Sequence, residues 1–453
     1  MNQRNNHRLV LFPLPLQGHI NPMLQLGQIL HARGFSITIL HTNFNALDPS
    51  SHPHFAFRSI ADGLDQSEAS LSDIPGIVSL LNARCVGPFE ECMREMVSSP
   101  GGDAVPIACL ISDSLFSFTC GVAERLKVRA LMLRTSGATS LYVFTICPVL
   151  KEKGYIPIQS SRLQEAVKEF PPLLVGDIPA LDSKDPGMIF RLMENMIKAI
   201  KNSSGVILNT FEELEHANLA LLRDDLSVPV FPIGPFHKCC MTSSSSSLLA
   251  EDKSCISWLD EQSPKSVIYV SFGSLAATSE AEILEIALGL AYSEQPFLWV
   301  VRPGSVCDPE WLEKSPSRFL EALEGRGKIV KWAPQKEVLA HPAVGAFWTH
   351  NGWNSTLESI SEGVPMLCMP RFAEQGVNAR YVSDVWRVGV HLNGGLEREN
   401  IDRAIKRLLV EREGEEMREG ALALKEKASV CVKQDGSSCQ ALDALVSHIL
   451  SFK

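Results

Sequence analysis

Twice along this chain, short apolar runs alternate with amphipathic segments, and that alternation limits the fold more than any other feature. In the first half the apolar runs are Arg8–Pro13, Ser36–His41, Ile107–Ile111, Ala130–Leu133, Val206–Leu208 and Val230–Ile233. Helical spacing fills the gaps, for example over Leu80–Met96 and Arg191–Ile200. Asn21 followed by Pro22 reads as a helix cap and first helical position, with Gly34 just past the helix end. Strands separated by helices predict a parallel sheet with crossover connections. The pattern then breaks at the serine tract Thr242–Ser247, which lacks core side chains and reads as a flexible linker, the alternative being a surface loop within one domain. It resumes with strand candidates Val267–Phe272, Phe297–Val301, Lys328–Lys331, Gly345–Trp348 and Val364–Met369, and with helices over Glu280–Leu290 and Asn354–Glu362. The expectation is an α/β chain of two doubly wound domains, 1–238 and 253–434, joined by a linker at 239–252. A ligand cleft is expected between them. The stretch 435–453 has helical spacing at Leu442, Leu445 and Ile449 and is expected to pack back on the first domain.

A length of 453 residues suits two domains, each large enough to bury a core. The net charge of −10 gives no support to nucleic acid or an anionic membrane as partner. The 12 cysteines are scattered and include no C-x-x-C pair, which fits reduced thiols and a cytoplasmic location. The apolar run Leu9–Leu16 is broken by Pro13 and Pro15, so it makes a poor signal peptide, and no stretch is suited to span a bilayer. Oligomeric state is not written in such features, and a monomer is the default.

The chemistry concentrates between Trp332 and Gln375. There the buried-strand pattern Gly345–Trp348 runs into His350-Asn351-Gly352-Trp353-Asn354-Ser355, a turn that opens a helix. A helix start presents free N–H groups and partial positive charge, a natural seat for a diphosphate. His350, Asn354 and Ser355 add side-chain donors at that end, and Glu358, one turn on, can accept two ribose hydroxyls. Trp332 can stack on a flat base, and Glu374 and Gln375 can read sugar hydroxyls. Each feature alone has a plainer alternative: a core tryptophan, a structural histidine, an ordinary helix cap. Their order and spacing together are specific.

This segment, WAPQKEVLAHPAVGAFWTHNGWNSTLESISEGVPMLCMPRFAEQ, closely resembles the secondary product glycosyltransferase box of plant UDP-dependent glycosyltransferases. The resemblance extends along the chain through PLPLQGHINP near the start, a strand ending at Asp113, and VSFGS at 270–274. The N-terminal wording is most similar to the plant group that includes the stevia steviol-glycoside glucosyltransferases. The resemblance implies the GT-B fold, two Rossmann-like domains facing across a cleft. It implies that Trp332 stacks on uracil, that Ala333 and Gln335 meet the uridine, and that Glu358 holds the ribose. His350, Asn354, Ser355 and Ser274 would bind the diphosphate, and Trp353, Glu374 and Gln375 the sugar. A final Gln of the box goes with glucose in that family, so Gln375 favours UDP-glucose. Thr135, in LRTSG, matches a position that contacts the sugar from the first domain.

The resemblance also pairs His19 with Asp113 as a catalytic dyad. His19 lies between the first strand and the following helix, at the sheet edge where ligands bind, and Asp113 ends another strand. A neutral imidazole there can strip a proton from an acceptor hydroxyl, and a carboxylate on its far nitrogen fixes the tautomer. In-line attack on the anomeric carbon then expels UDP, and an α-linked donor gives a β-glucoside. No D-x-D motif occurs, so no metal and no cofactor beyond the UDP-glucose co-substrate is expected. His52 and His54 read as a surface loop rather than a metal site. A nicotinamide oxidoreductase would want G-x-G-x-x-G after the first strand, which is missing. A non-catalytic UDP-sugar sensor could dispense with His19 or Asp113, and an epimerase would need no acceptor pocket. The resemblance places that pocket around Leu16, Leu80–Cys85, Ser136, Ser140, Phe144 and Met188–Met196, with Phe372 reaching across. Its apolar share suits a terpenoid, phenolic or flavonoid acceptor, attacked through a hydroxyl or a carboxyl.

Overall fold

The computed structural model describes residues 7–65, 73–98, 105–179, 187–239, 249–273, 279–302, 315–392 and 395–452. The serine tract Thr242–Ser247 and the expected diphosphate ligand Ser274 lie outside these residues. The chain divides into two units: Met1–Pro157 with Ala180–Ser246 and Ser429–Lys453, and Ile158–Pro179 with Ser247–Ala428.

The first unit is built on seven strands: β1 (Arg8–Phe12), β2 (Ser36–Thr42), β3 (Ala56–Ile60), β4 (Ile107–Asp113), β5 (Ala130–Arg134), β6 (Val206–Leu208) and β7 (Val230–Pro232). They form one sheet in the order β3-β2-β1-β4-β5-β6-β7, and every pairing is parallel. A parallel sheet needs cover on both faces, which is why β5 (ALMLR) is buried along its whole length. One face carries Leu9, Leu11, Leu131 and Leu133 against Met23 and Leu26 of the helix Gln17–Ala32 and against Leu442, Leu445 and Ile449 of the helix Ser437–Leu450. The other face packs Val10, Phe12 and Ala130 against Leu81 and Phe89, from the helices Ile74–Arg84 and Val86–Ser98.

The second unit repeats the plan with β8 (Val267–Ser271), β9 (Phe297–Val300), β10 (Gly327–Val330), β11 (Val344–Thr349), β12 (Met366–Cys368) and β13 (Gly389–His391). The order is β10-β9-β8-β11-β12-β13, again all parallel. Its core joins Trp299 and Trp348 to Ile283 and Ile286 of the helix Glu280–Ser293 and to Ile401 and Ile405 of the helix Arg398–Leu409. That first helix opens on a reciprocal cap: the Ser279 amide donates to Glu282 Oε2 at 2.8 Å, and the Glu282 amide to Ser279 Oγ at 3.3 Å.

Several sequence expectations need correction. The first helix begins at Gln17, not after Asn21, and Pro22 lies inside it. Asn21 accepts a hydrogen bond from Gln17 Nε2 at 2.6 Å instead of serving as the N-cap. Pro22 is the sixth helical residue, past the first turn, so it brings no N–H to the helix ladder. The predicted helix Leu80–Met96 is two helices meeting near Cys85. Strands β3 and β13 were not foreseen: β3 has mostly exposed side chains, and β13 has three residues. Ile158–Pro179 groups with the second unit, a segment the sequence placed in the first domain, and the chain returns to the first unit at Ser429. Within the second unit, Asp177 is tied to Arg380 Nε at 2.8 Å.

Candidate active site

In a doubly wound sheet the crevice opens where the strand order reverses, at the carboxyl ends of the two central strands. In the first unit that point lies between β1 and β4. His19 sits in the first turn of the helix that follows β1, and Asp113 is the last residue of β4. Their side chains meet, with His19 Nδ1 2.7 Å from Asp113 Oδ2. Asp113 is fully buried, and its other oxygen accepts the Leu115 amide at 3.0 Å. Thr135, just past β5, places Oγ1 3.1 Å from the same imidazole nitrogen. With Nδ1 donating to a buried carboxylate, Nε2 holds the free lone pair. The His19 side chain is 18% exposed, so a proton donor can reach it.

In the second unit the order reverses between β8 and β11. Gly273 follows β8 and His350 follows β11. Gly273 has φ +74°, and a Cβ there would stand 2.5 Å from the His350 ring; a Cβ on Gly352 would also stand 2.5 Å from His350 Nε2. The imidazole is therefore wedged between two positions that need glycine. Among the described residues its buried Nδ1 has no hydrogen-bond partner of normal geometry. Burial pushes the ring down to about 4, and the Ser271 backbone, which favours the charged form, offsets little of that. Burial thus favours the neutral form of His350 in the free protein.

The helix Trp353–Glu362 starts beside it, capped only by the backbone of Gly352 and with no acidic residue in its first turn. A helix start of this kind directs backbone N–H groups and partial positive charge toward an anion. Asn354 and Ser355 lie half-buried in that turn. Gln335 fastens the site from below: its Nε2 donates to Ser355 Oγ at 3.0 Å and to Glu358 Oε2 at 2.8 Å, while its Oε1 accepts from the buried Tyr269 hydroxyl at 3.3 Å. Burial raises the Glu358 carboxyl above its ordinary range, and the bond from Gln335 opposes the shift. Ala333 is buried and Trp332 half-buried after β10.

Two expected sugar ligands are already partly spoken for. Trp353 is 3% exposed, with its ring 6.4 Å from that of Trp386, so its bulk is core. Gln375 is buried, and its Oε1 accepts the amides of Arg371 at 2.8 Å and Phe372 at 3.1 Å. The carbonyl oxygen thus shapes the loop that follows β12. Glu374 is half-buried at the N-cap of the helix Gln375–Arg380. Asn378 of that helix donates to the Asn351 carbonyl at 2.9 Å and so braces the turn holding His350. Sequence reading missed Tyr269, Asn378 and the bond from Thr135 to His19, because each acts through a contact far away in the chain.

Of the expected acceptor residues, Leu16, Ser136, Ser140 and Phe144 are buried in the first unit, and Phe372 is half-buried against the core of the second. Ser136 Oγ accepts from Arg134 Nε at 2.8 Å, and the Arg134 guanidinium lies 5.4 Å from the centre of the Phe144 ring. His52 and His54 stack on different rings, Phe55 and His31, and among the described residues no cluster of three His, Cys, Asp or Glu side chains forms a metal site.

Known proteins share this architecture and sequence. The solved structure of Phytolacca americana UGT2 complexed with UDP-2fluoro-glucose and pterostilbene matches with a TM-score of 0.82 at 27% identity, covering 98% of this chain and 100% of that one. The fold is therefore GT-B, two Rossmann-like α/β units, and the class is glycosyltransferase. The family described as UDP-glucoronosyl and UDP-glucosyl transferase matches residues 92–424, and the chain belongs to it. The chain is 48% identical over 452 residues to UDP-glycosyltransferase 76C4 of Arabidopsis thaliana, covering all of both proteins. It is 46% identical over 458 residues to UDP-glycosyltransferase 76G1 of Stevia rebaudiana, covering 99% of this chain and 98% of that one. The enzyme moves a glycosyl group from a UDP-sugar to a small molecule. Among the described residues no helix is long and apolar enough to cross a membrane.

Proposed function

We propose that this enzyme transfers glucose from UDP-glucose to a hydroxyl, or a carboxyl, of a small apolar plant metabolite such as a terpenoid, phenolic or flavonoid, with inversion to a β-glucoside. The observation that carries the reading is the His19–Asp113 pair, 2.7 Å apart at the switch point of the first sheet. His19 Nε2 takes the acceptor proton as the acceptor oxygen bonds to the anomeric carbon. The bond from that carbon to the diphosphate breaks, and its electron pair leaves with UDP. Asp113 stabilises the imidazolium that forms, and general-base help of this kind is worth about 10²–10⁴-fold.

The donor half belongs to the second unit. Trp332 stacks on uracil beside Ala333 and Gln335, Glu358 holds the ribose hydroxyls, and Ser274, Asn354, Ser355 and the helix start take the diphosphate. His350 adds a neutral hydrogen bond rather than a charge. Trp353, Glu374, Gln375 and Thr135 hold the sugar. Gln375 as the last residue of the box supports glucose. The helix start and its donors can carry the leaving diphosphate, which supports transfer without a divalent metal. The enzyme works as a cytoplasmic monomer, a location that suits ten cysteines standing unpaired among the described residues. The test is incubation of purified protein with UDP-glucose, EDTA and a mixed panel of aglycones, with products read by mass. A hexose-sized gain is expected on at least one acceptor. UDP-glucose binding with no transfer to any acceptor would sink the proposal.

A further inference from the structure

The residue that the proposed reaction leaves unused is Arg134. It ends β5 and is 3% exposed. Strand alternation turns it away from Leu131 and Leu133, toward the face where Ala130 packs with Leu16 and Leu81. That is the face expected to hold the acceptor. Its Nε donates to Ser136 Oγ at 2.8 Å, and Phe144 lies under the guanidinium at 5.4 Å. Among the described residues no carboxylate pairs with it. The buried carboxylate of Glu215 is committed elsewhere: Oε2 accepts the Ala138 amide, and Oε1 accepts the amide and hydroxyl of Thr139. A guanidinium taken out of water without a counter-anion is costly, and its planar fork fits a carboxylate through two parallel hydrogen bonds. The next residue, Thr135, touches His19, so the cation and the base hang from neighbouring positions of one strand end.

We propose that Arg134 reads an anionic group on the acceptor, and that the preferred acceptors are apolar hydroxy acids. The acceptor carboxylate sits on the terminal nitrogens of Arg134, its apolar body on Phe144, and its hydroxyl at His19 Nε2. This rests on the glucosyltransferase reading. The hydroxyl proton passes to His19, the hydroxyl oxygen bonds to the anomeric carbon, and UDP leaves with the electron pair of the broken bond. The carboxylate is held and does not react.

The experiment compares 4-hydroxyphenylacetate and 2-hydroxy-3-phenylpropanoate with their methyl esters, using wild type, Arg134→Met and Arg134→Lys. Wild type is expected to favour each acid over its ester by about 10- to 100-fold in kcat/KM, the worth of hydrogen bonds to a charged group. The product is the alkali-stable glucoside on the hydroxyl. Arg134→Met should lose the preference, with kcat/KM falling far more for the acid than for the ester through a raised KM for the acid, and Arg134→Lys should keep part of it. The acids should raise the Tm of wild type and not that of Arg134→Met. Ligand-free Arg134→Met should melt no lower than wild type, because it sheds a buried charge; a purely structural arginine would give the reverse. Equal use of acids and esters, a preference that survives Arg134→Met, or glucose found on the carboxyl would each overturn the proposal while leaving glucosyl transfer intact. Arg134-dependent stabilisation by the acids without transfer to any acceptor would instead strike the glucosyltransferase reading and leave the anion site standing.

Discussion

Each sheet puts a histidine at its switch point, yet the two imidazoles are held in opposite ways. His19 has Nδ1 on the buried carboxylate of Asp113 and a partly exposed ring. His350 is wedged between Gly273 and Gly352, has no partner for Nδ1 among the described residues, and is pushed down to about 4 by burial. The first arrangement suits a group that must gain a proton and hold it briefly. The second suits a group that stays neutral in the free protein, in the place proposed for the donor diphosphate. Topology supplies the place, and the partner decides the chemistry. Substitutions in the first unit should therefore act on turnover, and those in the second on donor binding and on stability in acid.

The largest effect is expected from His19→Ala, which should lower kcat by about 10²–10⁴-fold while UDP affinity stays within twofold. Asp113→Asn should approach the same loss, because an amide no longer fixes Nδ1–H or stabilises the imidazolium. Steady-state kinetics with UDP titration calorimetry reads both. Substantial residual turnover in His19→Ala would remove the contrast between the two histidines.

Next comes the acid limb of stability. The unfolded His350 ring titrates near 6.5 and the folded ring near 4. Between those values the unfolded chain holds the extra proton, so stability falls as pH drops and the loss is complete below about 4. The full loss is at most roughly 3 kcal/mol. His350→Gln should flatten this limb in urea unfolding measured from pH 7 to pH 4. An unchanged slope would mean that His350 is not held neutral. Gly273→Ala should cost about 2 kcal/mol of stability, since it combines a left-handed backbone with a methyl pressed into the imidazole. It should also weaken UDP binding more than it lowers kcat.

How much of this was legible in the sequence depends on how far each contact reaches. The central strands could be read because fully buried parallel strands are continuous apolar runs, as in Val267–Ser271. The helix start at Trp353 could be read because its signals are local. Edge strand β3 escaped, since Arg58 and Ser59 in Ala56–Ile60 break the apolar pattern. The Asn21-Pro22 pair misled, because cap chemistry was judged without knowing that Leu16 already ends the extended segment. The docking of Ile158–Pro179 with the second unit hangs on Asp177 meeting Arg380, two residues too far apart in sequence for any local pattern to link. The state of His350 was equally hidden, because it depends on burial and on two glycines from different loops.

The smallest effect sharpens the comparison from the donor side. Gln375 uses its side-chain oxygen as a double acceptor for the amides of Arg371 and Phe372, in a loop that Arg371 also anchors to Glu282 at 2.6 Å. An imidazole offers a single acceptor nitrogen and cannot replace both bonds. Gln375→His should therefore release one half-buried amide, at about 1 kcal/mol, and let the loop after β12 shift. With the amide donor also gone, use of UDP-glucose should fall relative to UDP-galactose by about tenfold in kcat/KM, carried mainly by KM. Because His19 and Asp113 are untouched, kcat at saturating donor should stay within a few-fold of wild type. An unchanged donor ratio would show that Gln375 only shapes the loop, whereas a fall confined to kcat would mean that the second unit takes part in the chemical step and the division between the two switch points does not hold.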